Sequence, residues 1–294
     1  MQLVTVHGNA KINLTLDILG TRPDGFHEVA MVMQSLALHD TVELERTDGG
    51  ISLELLAEDI YGGDTLEADE SNLAWRAAAL MQTEYGLRGG VRMRLVKRIP
   101  IAAGLAGGST DAAAVLRGMN ELYELGLSER ELCRQGEKLG SDIPFCIMGG
   151  TMLSTGRGEV LERLPSLPEL PVVLAKPRIA VSTAWAYRTY DAVGADRHPD
   201  NEAIQKEIVR GDWKAVSSLL CNVLERVTIK KYEIIADYEQ LMLEHGAMAS
   251  MMSGSGPTVF GLAESKERAQ AIANALRKET DGEIFVTHTV GKTV

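Results

Sequence analysis

The fold of this chain is decided by the stretch Pro100-Ile101-Ala102-Ala103-Gly104-Leu105-Ala106-Gly107-Gly108-Ser109-Thr110-Asp111-Ala112-Ala113-Ala114. Its three glycines let the backbone bend where a side chain would clash, so that backbone N–H groups can approach a ligand closely. The alanine-rich segment that follows predicts a helix, whose positive dipole end would point at the same place. The pattern therefore suits a phosphate. A Walker loop is excluded because no Gly-Lys-Ser/Thr follows. The alternative is a strand-to-helix turn that binds no ligand.

The composition narrows the class of protein. The chain has 294 residues, of which 45% are hydrophobic, enough for two domains with ordinary cores. It carries 30 basic and 41 acidic residues, and the net charge of −11 disfavours nucleic acid or a membrane surface as the main partner. No apolar run approaches the roughly 20 residues of a membrane helix, and no signal peptide is visible. The three cysteines are scattered, so we expect a cytoplasmic protein without a disulfide framework.

Periodicity and turn residues predict an α+β fold. Strands are predicted over 10–19, 42–46, 51–56, 91–96, 172–175, 258–262 and 284–290. Helices are predicted from Ser71 to Gly86, directly after the glycine stretch, from Ser128 to Gly140, and over 182–191, 201–209, 212–223, 231–245 and 265–278. Three prolines in 164–171 indicate a boundary between domains at 1–163 and 172–294, with a long surface loop as the alternative.

Four further segments accompany the glycine stretch. They are Ala10-Lys11-Ile12-Asn13-Leu14 with Asp24-Gly25-Phe26-His27, Lys97-Arg98-Ile99-Pro100, Leu139-Gly140-Ser141-Asp142-Ile143-Pro144-Phe145, and Val181-Ser182-Thr183-Ala184 with Ser253-Gly254-Ser255-Gly256-Pro257-Thr258. Together they resemble the GHMP small-molecule kinases nearly end to end. The resemblance implies a two-domain α+β fold, with an N-terminal domain like the second domain of ribosomal protein S5 and a ferredoxin-like C-terminal domain. It places the active site in the cleft between them.

The resemblance assigns catalysis to two residues. Asp142 would be the general base that takes the proton of the acceptor hydroxyl. Lys11 would keep that carboxylate ionised or stabilise the charge that develops on the hydroxyl oxygen. Taken alone, Asp142 is explained by a local turn cap and Lys11 by a lysine that points into solvent. Asn13 lies on the same strand face as Lys11 and would bind substrate or orient Lys11.

The resemblance also implies an ATP site with Mg²⁺. Its residues would be Asn72, Lys97, Pro100, Ala103, Gly104, Leu105, Ala106, Gly107, Gly108, Ser109 and Thr110. Backbone N–H groups from Gly104 to Ser109 would hold the phosphates, Ser109 or Thr110 would add a hydroxyl, and Lys97 would be the basic contact. Asn72 would lie near adenine or ribose. No carboxylate ligand of magnesium is identified, and Asp111 is most simply a partner of the helix dipole.

Within the superfamily, the segments match a branch whose acceptor alcohol carries a cytidine diphosphate. Phe26 and Tyr187 would stack on cytosine, His27 would hydrogen-bond to the base edge, and Thr183 would lie nearby. The residues from Gly104 to Ser109 would form the phosphate loop, and the late glycine turn at Gly254, Ser255 and Gly256 would support it. Two alternatives stay open, a GHMP kinase for homoserine or mevalonate and a non-catalytic sensor on the same scaffold. The sequence leaves monomer and homodimer equally open.

Overall fold

A computed structural model describes residues 3–57 and 66–291 of the chain. The described residues form two compact units, and each unit collects several chain segments. One unit draws on Met1–Ala10, Leu38–Ile101 and Ala106–Gly149, and the other on Lys11–Ala37, Ala102–Leu105 and Gly150–Val294. The two longest strands contribute residues to both units. The predicted boundary at 164–171 stays a prediction.

The strands of the described chain are β1 Leu3–Thr21, β2 His27–Thr47, β3 Ile51–Ala57, β4 Gly90–Lys97, β5 Thr151–Thr155, β6 Val160–Arg163, β7 Pro171–Lys176, β8 Cys221–Asn222, β9 Ala249–Met252, β10 Val259–Leu262 and β11 Glu283–His288. The helices are α1 Leu73–Tyr85, α2 Gly107–Leu122, α3 Glu129–Glu137, α4 Ile143–Met148, α5 Thr183–Val193, α6 Asn201–Arg210, α7 Trp213–Ser218, α8 Glu225–Lys231, α9 Ile234–Glu244 and α10 Lys266–Glu279. The predicted α+β class is confirmed.

In the first unit, the end of β2 pairs antiparallel with β4, and β4 pairs parallel with β3. The helix α2 is buried almost all round, since the small residues Ala112, Ala113 and Ala114 let neighbouring elements approach it closely. The predicted capping box before α3 is confirmed, because Ser128 and Glu131 each accept a hydrogen bond from the other's backbone N–H.

In the second unit, the strand order β11-β7-β10-β9 forms an antiparallel sheet. Counted along the chain, these strands are the fourth, first, third and second, with helices after the first and the third. This order is that of a ferredoxin-like fold, as predicted. The same unit contains the first half of β2, on which β5 pairs, and the pairing of β8 with β1.

Several predicted elements were wrong in extent. The strand predicted at 42–46 is the end of the much longer β2, whose residues Met31–Leu36 are buried on both faces and therefore show no alternation. The helix predicted over 212–223 ends at Ser218, the one predicted over 231–245 begins three residues later as α9, and α8 was not predicted. The cap of α1 is Asn72 rather than Ser71, since the Asn72 side chain accepts a hydrogen bond from the Ala74 N–H at 2.9 Å.

A buried ion cluster joins β2, β4 and α2 in the first unit. The Lys97 ammonium donates to Asp40 at 2.5 Å and to Asp111 at 2.7 Å, and all three side chains are almost fully buried. The other oxygen of Asp40 accepts hydrogen bonds from the backbone N–H groups of Arg98 and Ile99 at 2.5 and 2.9 Å. Among the described residues, no partner is found for Asp111 Oδ1. The cluster fixes the first turns of α2 against the sheet.

The two carboxylates of this cluster are not equivalent. One ammonium cannot neutralise two buried carboxylates, and only Asp40 also accepts two backbone hydrogen bonds. Burial raises the pKa of Asp111 from its ordinary value of 3.8 to about 8, although Lys97 opposes the shift. Burial therefore favours the neutral form of the Asp111 carboxyl.

This asymmetry predicts a pH-dependent effect of Asp111→Asn. A carboxyl whose pKa is raised by folding binds more protons in the folded state, so its contribution to the free energy of unfolding falls as the pH rises from 3.8 to about 8. The asparagine lacks this titration. We expect the melting temperature of the variant, relative to that of the wild type, to rise by about 2 °C or more between pH 6 and pH 9. Asp40→Asn, the control, should destabilise at both pH values, and an unchanged difference for Asp111→Asn would contradict the assignment.

Candidate active site

The glycine stretch bends sharply before α2 begins at Gly107. Ala102, Gly104 and Ala106 have φ values of 50°, 73° and 60°, in the left-handed region. An alanine there costs on the order of 1–2 kcal/mol, and such strain persists where surrounding contacts enforce it, often at ligand sites. The backbone of this stretch is therefore shaped against its local preference, as expected of a loop that presents N–H groups to a ligand.

The late glycine turn contacts this loop within the second unit, and its role as the support of a phosphate-binding loop stays a prediction. A Cβ on Gly104 would overlap the carbonyl oxygen of Ser253 and would lie 3.1 Å from that of Gly256. The Ser253 hydroxyl donates a hydrogen bond to the Gly104 carbonyl oxygen at 3.0 Å. Only a glycine at position 104 permits this approach.

The second half of the loop lies over the buried ion cluster. A Cβ on Gly107 would lie 3.4 Å from Lys97 Nζ. The structure places the Lys97 ammonium between Asp40 and Asp111, so Lys97 supports the start of α2, and a contact with the nucleotide stays a prediction. Asp111, expected to be a partner of the helix dipole, is instead a member of this cluster.

Two other predicted ATP residues have local partners. The Thr110 hydroxyl donates to the Gly107 carbonyl oxygen at 2.8 Å, whereas Ser109 is half-buried and its hydroxyl has no partner among the described residues. Ser109 is therefore the better candidate for a ligand contact. The buried Asn72 caps α1 and donates to the Glu67 carbonyl oxygen at 2.9 Å, so its amide is engaged within its own unit.

The polar face of β1 is buried. Lys11, Asn13, Thr15 and Asp17 are each at most 5% exposed. The alternative of a lysine that points into solvent is therefore wrong for Lys11. Its ammonium donates to Asn13 Oδ1 at 2.7 Å, which confirms that these two residues share a face.

Lys11 also lies beside both glycine segments. Its backbone N–H donates to the Leu105 carbonyl oxygen at 3.1 Å, and a Cβ on Gly254 would lie 3.3 Å from its Nζ. A buried ammonium is thus held next to the phosphate loop, where it can stabilise negative charge.

Asp142 stands immediately before α4, with Pro144 as the second helical residue. Its side chain accepts no capping hydrogen bond from that helix, and it is half-buried. The turn-cap alternative is therefore not observed. The pairing of Asp142 with Lys11 stays a prediction.

His27, Tyr187 and Asp191 form a cluster in the second unit, and two of these residues were predicted to bind the base. The rings of His27 and Tyr187 lie 4.8 Å apart at 48°, and His27 Nε2 lies 2.7 Å from Asp191 Oδ1. Phe26 is 52% exposed and lies under the Arg157 guanidinium, 5.1 Å from its ring centre. The structure thus pairs Tyr187 with His27, and the predicted stacking of a base between Phe26 and Tyr187 stays a prediction.

One face of α5 carries much of this cluster. Thr183, Tyr187 and Asp191 follow at intervals of four residues and so share a helix face. Thr183 Oγ1 lies 2.8 Å from Ser255 Oγ, which links the helix start to the late glycine turn. Sequence reasoning missed Asp191, although its spacing from Tyr187 was a usable signal. Asp40 was also missed, and Ser253 was noted only as part of the late glycine turn, without its contact with Gly104.

The described residues contain no group of three or more His, Cys, Asp or Glu side chains arranged to hold a metal ion. In the same part of the chain, no helix is both long and apolar enough to cross a membrane.

Two family models and full-length relatives match this chain. The family model for the GHMP kinases N terminal domain matches residues 72–150, and that for the GHMP kinases C terminal matches residues 204–281. A protein of Acetivibrio thermocellus named 4-diphosphocytidyl-2-C-methyl-D-erythritol kinase is 46% identical over 290 residues, which cover 99% of this chain and 100% of the relative. A protein of the same name from Geobacillus kaustophilus is 46% identical over 289 residues, which cover 98% of each chain.

Among solved structures, a 4-(cytidine 5'-diphospho)-2C-methyl-D-erythritol kinase superposes with a TM-score of 0.81 at 33% identity, covering 98% of this chain and 100% of its own. The similarity therefore extends over the whole chain in both sequence and fold. The chain belongs to the GHMP kinase family, within the group of 4-diphosphocytidyl-2-C-methyl-D-erythritol kinases.

Proposed function

We propose that this chain transfers the γ-phosphoryl group of ATP to the 2-hydroxyl of 4-diphosphocytidyl-2-C-methyl-D-erythritol, in the non-mevalonate route to isoprenoid precursors. The observation that carries the kinase activity is the approach of Gly104 to the late glycine turn, which shapes the phosphate loop. The assignment of the acceptor is supported by the names of the full-length relatives and by the cluster around His27. We expect the protein to act in the cytoplasm on small molecules.

The proposed ATP site is centred on backbone N–H groups of the loop. Those from Gly104 to Ser109 would bind the phosphates, with the positive end of α2 adding to the field. Pro100, Ala103, Leu105 and Ala106 would line the nucleotide. Mg²⁺ would be held mainly by phosphate oxygens and water, with the Ser109 hydroxyl as the protein contact, and it would neutralise charge on the transferring group.

The proposed transfer is direct and in line. The oxygen of the acceptor hydroxyl bonds to the γ-phosphorus while Asp142 accepts the hydroxyl proton. At the same time the bond from that phosphorus to the bridging oxygen breaks, and ADP leaves. The Lys11 ammonium stabilises negative charge on the reacting oxygens, and Asn13 holds Lys11 in place. Positioning and charge neutralisation supply most of the catalysis.

The proposed base site uses the second unit. Cytosine offers a π face to Tyr187 and Phe26, and a donor and acceptor edge to His27. Thr183, beside Ser255, would contact the acceptor near the late glycine turn. A homoserine or mevalonate kinase would leave these residues without a nucleobase to bind.

The first test is acceptor choice, measured as ADP release with ATP and Mg²⁺. We expect turnover with 4-diphosphocytidyl-2-C-methyl-D-erythritol and background rates with homoserine, mevalonate and the same alcohol phosphate without cytidine. Turnover with one of the other alcohols would overturn the acceptor assignment. No turnover with any of them would favour the non-catalytic sensor.

The second test is Asp142→Asn. The amide cannot accept the proton at neutral pH, so kcat should fall by about 10²- to 10⁴-fold while substrate binding, measured by calorimetry, stays close to that of the wild type. Asp48→Asn removes an exposed carboxylate from the same unit and should leave kcat unchanged. Near-normal turnover of Asp142→Asn would exclude Asp142 as the base.

A further inference from the structure

His27 is held by two side chains of α5. Its Nε2 lies 2.7 Å from Asp191 Oδ1, and the Tyr187 ring packs against the imidazole with 4.8 Å between ring centres. His27 is 14% exposed at its side chain, whereas Asp191 is 43% exposed. The imidazole is therefore largely enclosed, and its rotation is limited on one side by a ring and at one nitrogen by a carboxylate.

This contact decides which ring nitrogen carries the hydrogen. A carboxylate accepts hydrogen bonds and has none to donate, so we assign His27 Nε2 as the N–H that donates to Asp191. In the neutral ring, Nδ1 is then a hydrogen-bond acceptor. Without the carboxylate, the two tautomers would be free to exchange, and Nδ1 could equally carry the hydrogen.

We propose that Asp191 is a positioning residue that makes the site select cytosine over uracil. This inference rests on the proposed function and extends it to the choice of nucleobase. The amino group of cytosine donates hydrogen bonds, and an accepting Nδ1 matches it. Uracil carries a carbonyl oxygen at the same position, so two acceptors would face each other and neither would be satisfied.

The helix gives Asp191 its place. Because Thr183, Tyr187 and Asp191 share one face of α5, the element that supplies the stacking ring also sets the tautomer of His27. The start of this helix is linked to the late glycine turn by the contact between Thr183 and Ser255. The base site is thus placed by the same turn that supports the phosphate loop.

The test compares Asp191→Asn with the wild type on two substrates, 4-diphosphocytidyl-2-C-methyl-D-erythritol and the same compound with uracil in place of cytosine. The asparagine can accept from His27 or donate to it, so it no longer fixes the tautomer. We expect the ratio of kcat/KM for the cytosine compound over the uracil compound to fall at least about tenfold. Asp191→Glu, which restores an accepting carboxylate, should recover most of the ratio.

A matched control is Asp196→Asn. Asp196 follows α5 closely in the chain, is 83% exposed at its side chain and pairs with Arg226. The substitution therefore removes the same charge as Asp191→Asn without changing the partner of His27. The ratio of kcat/KM for the cytosine compound over the uracil compound should be the same in Asp196→Asn as in the wild type. Calorimetric binding of CMP and UMP to the same variants supplies a second readout that does not depend on turnover.

The outcomes separate the inference from the proposed function. An unchanged ratio in Asp191→Asn, with only a lower melting temperature, would overturn the inference and leave a purely structural tie between α5 and β2. If the wild type binds CMP over UMP and Asp191→Asn removes that preference without any turnover, the inference stands and the proposed function fails. Should Asp191→Asn not fold, Asp191→Ser gives the same comparison. A wild type that does not distinguish the two bases overturns the inference directly.

Discussion

The carbonyl oxygen of Ser253 occupies the space that a side chain on residue 104 would need. This close approach of two backbones holds the middle of the phosphate loop against the late glycine turn, and the Ser253 hydroxyl adds a hydrogen bond to the Gly104 carbonyl oxygen. Lys11 joins the same arrangement through its hydrogen bond to Leu105. Contacts that leave no space for a Cβ at position 104 therefore position the loop and the turn, and the buried lysine is hydrogen-bonded to the same loop.

Polar side chains hold the late glycine turn in place through hydrogen bonds to its backbone and to the strand before it. Asn222 donates to the carbonyl oxygens of Met252 and Gly254 at 2.9 and 2.8 Å, and Glu225 accepts from the Met252 N–H at 2.7 Å. Burial and the neighbouring Glu239 raise the pKa of Glu225 well above its usual range, and burial raises that of Glu239. Burial therefore disfavours the ionised form of both carboxyls.

The local parts of the fold were open to prediction from the sequence. The capping box at Ser128 and the helix after the glycine stretch depend on neighbouring residues, and both are present. The first half of β2 was missed because Met31–Leu36 are buried on both faces, and β8 was missed because long-range contacts of Asn222 hold it. Tertiary packing overrides local patterns at such positions.

The site divides in the same way. Motif residues such as Lys11, Gly104 and Tyr187 carry a local signal, whereas their supporting partners are distant in the chain. Asp40, which pairs with Lys97 from 57 positions away, could not be inferred from spacing. Asp191 could be noticed from its spacing of four residues after Tyr187, but its contact with His27 could not. Residues within a motif are thus easier to predict than the distant residues that hold them in place.

If the fit of Gly104 against the late glycine turn shapes the proposed ATP site, ATP binding depends on the absence of a Cβ at position 104. The most direct measurement is the ATP dissociation constant, by calorimetry, of Gly104→Ala and Gly126→Ala. Both glycines have a left-handed backbone, with φ of 73° and 66°, but a Cβ on Gly126 meets nothing within 4 Å among the described atoms. Both variants should lose roughly 1–2 kcal/mol of stability from backbone strain. We predict that ATP binding weakens at least about tenfold in Gly104→Ala alone, and equal affinities in the two variants would contradict the account.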